Sequence, residues 1–135
     1  SSGAFNLPDW EESKEGFVAL LESLFEHTPP TAIILDEAFQ FHAAVYFLAT
    51  RGIRIPKDVS LVCMDSAPSF AWCEPSVAHI HWDARPVVRR IVRWIDNVAR
   101  GKEDKRQTLT KAKFIEGGTI GEAPHANSLY SKKKG

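Results

Sequence analysis

The sequence predicts an α/β domain built on a parallel sheet with helices on both faces, and three observations carry that reading. Short, apolar, largely β-branched runs recur at 31–35 (TAIIL), 59–64 (VSLVCM) and 77–82 (VAHIHW); the first two suit strands buried on both faces of a sheet. Stretches with helical apolar spacing alternate with these runs. Pro29-Pro30, Gly52 and Gly101 punctuate the junctions. Such alternation implies βαβ units with right-handed crossovers and a sheet covered on both sides. Three or four strands make a thin sheet for that architecture, so the chain reads as a fragment of a larger α/β protein.

The elements follow in order. Residues 1–8, opening Ser1-Ser2-Gly3, read as disordered or tag-derived. Asp9 and Glu12 have capping-box spacing, and Phe17, Leu20, Leu21, Leu24 and Phe25 then form a helical stripe. After the strand at 31–35, a second helix is expected over 37–50, with Phe41, Ala44, Val45 and Leu48 on one side. Gly52 stops it in a left-handed turn. A loop containing Pro56 leads into the strand at 59–64. Residues 65–75 are irregular and leave Phe70 and Trp72 free to be exposed. Beyond the strand at 77–82, Asp83 can cap a third helix, with Pro86 tolerated in its first turn. Val87, Val88, Ile91, Val92, Ile95 and Val98 form the apolar face of that helix, and Gly101 ends it. Residues 108–115 have the mixed polarity of an edge strand. Gly117 onward reads as a frayed tail, flexible over 121–135.

Composition narrows the function. The chain is 44% hydrophobic and 25% charged, as in soluble globular domains. No apolar run approaches the roughly 18 residues that span a bilayer, so no membrane partner is expected. Lys plus Arg and Asp plus Glu both number 17, and three of the lysines are Lys132, Lys133 and Lys134. The remainder is slightly acidic, 14 against 17. A domain that grips DNA by itself needs a basic face, so any DNA reader is expected elsewhere. Cys63 and Cys73 form neither a disulfide framework nor a CxxC pair, and Cys63 sits in an apolar run where a buried reduced thiol is usual. A reducing cytoplasm is the expected compartment.

Ligands of open α/β sheets bind beyond the carboxyl ends of the strands. Asp36 and Glu37 follow the first strand and Asp65 follows the second, so parallel pairing puts these acids at one sheet edge, within about one strand spacing. A carboxylate can accept from two hydroxyls at once, which suits a polyol such as a sugar. The competing reading makes Asp36 an N-cap. Trp82, ending the third strand, offers an apolar face for sugar C–H groups and an N–H donor; a core or interface tryptophan is the alternative. Phe70 and Trp72 suit a subunit contact as readily as a ligand wall. His79 and His81 share one strand face, which permits a metal pair without implying one. HExxH, G-x-S-x-G and P-loop patterns do not occur, and Gly117, Gly118 and Gly121 open no helix. No catalytic residue, metal or cofactor is expected. Arg85, Arg89 and Arg93 recur on one helix face and read as solvated rather than as a nucleic-acid surface.

The order of several motifs carries a resemblance. Pro30-Thr31-Ala32-Ile33-Ile34 is followed by a helix closing on Thr50-Arg51-Gly52. Then come Ile53-Arg54-Ile55-Pro56-Lys57-Asp58-Val59-Ser60-Leu61-Val62 and a closing Asp65. Pro75-Ser76-Val77 with His79-Ile80-His81, the helix ending at Gly101, and Phe114-Ile115-Glu116-Gly117-Gly118-Thr119 complete the series. Over roughly residues 29–120 this resembles the effector-binding domain of the lactose repressor/galactose repressor (LacI/GalR) family. The resemblance implies a three-layer, Rossmann-like subdomain of a periplasmic-binding-protein-like fold. Residues 9–120 would be the C-terminal portion of the domain, the helix at 84–100 would belong to the N-terminal subdomain, and 77–82 would be a hinge crossover.

It further implies a cytoplasmic bacterial transcription regulator, not an enzyme, with a small-molecule effector, a sugar, for which Asp65 is the implied ligand and Glu37 stands where the family has Asn; Asp36 and Trp82 join them as site candidates on position alone. Homodimer contacts are implied at Tyr46, Phe47, Phe70 and Trp72, and operator DNA would be held only by a helix-turn-helix domain outside this chain. The chain departs from the family where its Asn-Asp aligns with Glu37-Ala38 and its Gly-aromatic-Asp-Asp with Cys63-Met64-Asp65-Ser66, which marks a divergent branch. The alternative on the same fold is the solute-binding protein of a sugar ABC transporter. Apolar Tyr46, Phe47, Phe70 and Trp72 and the free cysteines favour the regulator.

Overall fold

A computed structural model describes residues 9–124; the expectations for 1–8 and 125–135 lie outside the described residues. The chain runs α1 (Lys14–His27), β1 (Ala32–Leu35), α2 (Ala38–Thr50), β2 (Ser60–Cys63), a short 3-10 turn (Pro68–Trp72), β3 (Ala78–Trp82), α3 (Arg85–Ala99) and β4 (Ala112–Ile115). The four strands form one sheet in the order β1-β2-β3-β4. The pairs β1–β2 and β2–β3 are parallel, as the βαβ reading requires, and β4 returns antiparallel to β3 at the edge.

Helix α1 starts later than Asp9 and Glu12 predicted. Its N-cap is Ser13, whose hydroxyl accepts from the Gly16 amide at 3.0 Å. The chain ahead of the helix folds tightly onto its first turn, and a Cβ on Gly16 would lie 2.1 Å from the Glu11 carbonyl oxygen. Only glycine permits that approach, so the turn at 11–13 and the cap are selected together. Helix α2 ends as expected, with Gly52 left-handed at φ 66°.

Side chains alternate across a strand, so the register sorts the sheet faces. Ile33 pairs with Leu61 and Leu35 with Cys63, and this face meets α1 and α2. Leu35, Leu61 and Cys63 join Phe17 and Leu21 of α1 and Phe41, Ala44, Phe47 and Leu48 of α2 in one core. Ile34 pairs with Val62 on the opposite face, where Ile34 is exposed. The described residues thus supply the sheet and the helical layer over one face. No helix among them is long and apolar enough to cross a membrane.

Two boundaries differ from expectation. The edge strand begins at Ala112, opposite Trp82; β3 ends there, so 108–111 find no strand to pair with. The stretch from Gly117 is a clamp and not a frayed tail. Thr119 is buried; its hydroxyl donates to the Leu61 carbonyl at 2.7 Å and accepts from the Ala78 amide at 3.0 Å. The Leu61 amide donates to the Thr119 carbonyl, and the Gly121 amide to Ser60 Oγ. Gly117 passes so close to β3 that a Cβ would lie 2.4 Å from the Ala78 nitrogen. Backbone groups that β2 and β3 leave unpaired are satisfied here.

Helix α3 is amphipathic but buries no residue. Val88, Ile91, Val92, Trp94, Ile95 and Val98 are all exposed. Asp83 accepts from the Arg85 amide at 3.0 Å, although the helix cap itself falls on Ala84.

Candidate functional site at the carboxyl edge of the sheet

Parallel pairing of β1 and β2 ends with Leu35 beside Cys63, and the Met64 amide donates to the Leu35 carbonyl at 2.7 Å. The chains then diverge, leaving Asp36, Glu37 and Asp65 at one edge. Asp36 and Glu37 are exposed and Asp65 is half-buried. Oδ1 of Asp65 accepts from the Ser66 amide at 2.7 Å, which orients the carboxylate in the turn. The buried Cys63 thiol is pushed up first by desolvation, with the negative charges of both Asp65 and Asp36 adding to the shift. The two acids therefore sit within electrostatic reach of one sulfur. With its proton retained, Cys63 is an inert apolar filler.

The cap of α2 is Glu37 and not Asp36, with the Glu37 amide donating to Gln40 Oε1 at 3.2 Å. The helix starts one residue later than an Asp36 cap requires, which leaves the Asp36 carboxylate outside the cap. Trp82 is half-exposed. Because Cys63 is level with His79, Trp82 stands three residues further along, about 10 Å beyond the end of β2.

The two histidines are committed separately. Nδ1 of His79 donates to the Val77 carbonyl at 2.8 Å, and its ring packs 5.2 Å from Phe70. Nδ1 of His81 lies 3.3 Å from Ser66 Oγ, so a second polar residue reaches the Asp65 turn. Among the described residues no group of three His, Cys, Asp or Glu is arranged for a metal ion.

The four residues implied at a subunit contact split. Tyr46 is 75% and Trp72 92% exposed, but Phe47 and Phe70 are each only 6% exposed. Phe47 packs against Phe25 of α1, under the Arg51 guanidinium at 4.3 Å from its ring. Phe70 packs among Phe41, His42 and His79. The 3-10 turn points Phe70 inward and Trp72 outward, so the expectation of an exposed Phe70 fails, and Phe47 likewise belongs to the core. Sequence reasoning missed Phe39, which is exposed and shares with Trp10 and Tyr46 a cleft of about 840 Å³ between α1 and α2. The seven-residue spacing of Phe39 and Tyr46 is the signal that places them on one helix face.

Residues 3–120 match the family described as periplasmic binding protein-like domain, and the chain belongs to that family. The HTH-type transcriptional repressor PurR of Pasteurella multocida is 22% identical over 107 residues, covering 76% of this chain and 32% of that protein. A LacI family transcriptional regulator from Bifidobacterium animalis superposes with a TM-score of 0.72 at 19% identity, over 87% of this chain and 43% of that one. A LacI family regulator from Enterococcus faecium, solved with ribose bound, superposes at 0.69 with 14% identity, over 82% of this chain and 42% of that one. The chain therefore spans about a third of the curated relative and under half of the solved neighbours.

Proposed function

We propose that this chain is the C-terminal part of the effector-binding domain of a bacterial LacI/GalR-type transcription regulator, a sensing module and not an enzyme. The observation that carries the reading is the placement of Asp36 and Asp65 at the carboxyl ends of neighbouring parallel strands, where α/β sheets take their ligands. The ribose bound in the Enterococcus faecium neighbour supports a small-molecule effector, with a sugar as its class. Asp65, Asp36 and Glu37 accept hydroxyl hydrogens, and Trp82 supplies a stacking face.

The apolar face of α3 belongs against an N-terminal subdomain outside this chain, and the cleft closes between the two. Exposed Tyr46 and Trp72 contribute to pairing with a second copy. Operator DNA is held by a helix-turn-helix domain that is not part of this sequence, in the cytoplasm. Effector control then requires different effector affinities in two subunit arrangements.

Titration calorimetry with ribose tests the site. Asp65→Asn is expected to weaken binding by about 1.5–3 kcal/mol, the range for a charged hydrogen bond, with an unchanged unfolding midpoint. Equal affinity in the variant and the parent would remove Asp65 from the site.

A further inference from the structure

The arginines around α3 fall into two sets. Arg85 is held by Asp83, with Nη2 2.7 Å from Oδ2 and Nε 2.9 Å from either oxygen. Arg100 pairs with Asp96 at 3.3 Å. Arg90 grips Asp104 with both terminal nitrogens, at 3.1 and 2.7 Å. Arg93 and Arg106 have no carboxylate partner among the described residues; Arg89 donates to the Arg85 carbonyl at 3.4 Å and touches Asp83 only through its field.

Asp104 cannot serve them. It also accepts from Asn97 Nδ2 at 2.8 Å and from the Arg106 amide at 3.2 Å. Four donors fill the four lone-pair positions of a carboxylate, and the side chain is only 4% exposed. Its pKa is lowered, first by the Asn97 hydrogen bond. Asp104 instead acts as a pin. Arg90 Nη2 also donates to the Arg106 carbonyl at 2.6 Å, so the segment after α3 is strapped back along the helix. That strap sets Arg106 and Thr108 opposite Arg89 and Arg93, around an open cleft of about 320 Å³ that also includes Pro86 and the Asp104-paired Arg90.

No acid lines this cleft. Like charges one helical turn apart, as in Arg89 and Arg93, repel, and the strap brings a third cation towards them. A doubly charged anion turns that repulsion into attraction. Guanidinium forks match phosphate oxygens bidentately, and the Thr108 hydroxyl adds a donor. We propose that Arg89, Arg93, Arg106 and Thr108 form a binding site for the phosphoryl group of a small phosphorylated solute. The volume is at the small end of ligand sites. A duplex is disfavoured because the chain as a whole carries no net positive charge. The site shares no residue with the carboxyl-edge acids and stands independently of the effector reading. Arg85, Arg89 and Arg93 are all exposed, as the sequence reading of a solvated face has it; Asp83 pairs with Arg85 alone.

The test is titration calorimetry of the whole chain with inorganic pyrophosphate at constant ionic strength of about 0.15 M. Saturable binding is expected, weakened tenfold or more by Arg93→Gln and by Arg106→Gln, and unchanged by Arg100→Gln, which lies outside the cleft. Thermal unfolding checks that each variant is folded, and the two substitutions sit on separate elements, so a misfolded variant on one leaves the other informative. No saturation by about 10 mM pyrophosphate, or binding indifferent to both variants, overturns the proposal. So does a DNA duplex that displaces pyrophosphate at the same salt.

Discussion

Phe41 of α2 and Ile91 of α3 sit on apolar stripes of helices of similar length, yet Phe41 is 1% exposed and Ile91 51%. The helix with the weaker one-sidedness is the buried one: α2 is apolar nearly all round, while α3 segregates its apolar and arginine faces sharply. A stripe marks which face can be buried; burial also needs an opposing surface. For α2 that surface is β1, β2 and α1. For α3 the contact among the described residues is the strap, and the strap engages the polar side through Arg90 and Asn97. One region is therefore held by packing and the other by charge-assisted hydrogen bonds, which makes their responses to mutation separable.

The largest expected effect is Phe41→Ala, which removes a fully enclosed ring and should cost about 3–5 kcal/mol in urea unfolding. A loss under 1 kcal/mol would mean the core is looser than described. Thr119→Val keeps the side-chain shape but strands the Leu61 carbonyl and the Ala78 amide, at a cost of about 1–3 kcal/mol. A neutral result would return the clamp to the status of a tail. Ile91→Gln should fall within about 0.5 kcal/mol of the parent. If it proves as costly as Phe41→Ala, α3 is buried in solution and the contrast between the two helices collapses.

Most of the scaffold was legible because its signals are local. The runs at 31–35 and 59–64 became β1 and β2, and Gly52 and Gly101 both end helices at positive φ, 66° and 73°. The carboxyl-edge acids were legible from strand order, because parallel pairing fixes where the residue after each strand must lie. What escaped depended on distant partners. The burial of Phe70 has no local signal because its packing partners are Phe41, His42 and His79 rather than its sequence neighbours. Ser13 displaced Asp9 because Gly16 admits the Glu11 carbonyl, a steric fact invisible to capping statistics. The Asp104 pin joins positions up to 14 residues apart across a turn, too far for a local pattern to announce.

The Thr119 clamp has a temporal side. Its hydroxyl and carbonyl close onto Leu61, 58 residues earlier in the chain. A ribosome must therefore make all of α3, the strap and β4 before β2 can complete its bonding, and contacts so far apart in sequence slow folding. Until then the nascent sheet carries an open margin at Ser60 and Leu61, the kind of bare strand edge that recruits other chains. The order of translation thus makes the late-arriving Gly117–Gly121 stretch the segment that covers this margin of β2.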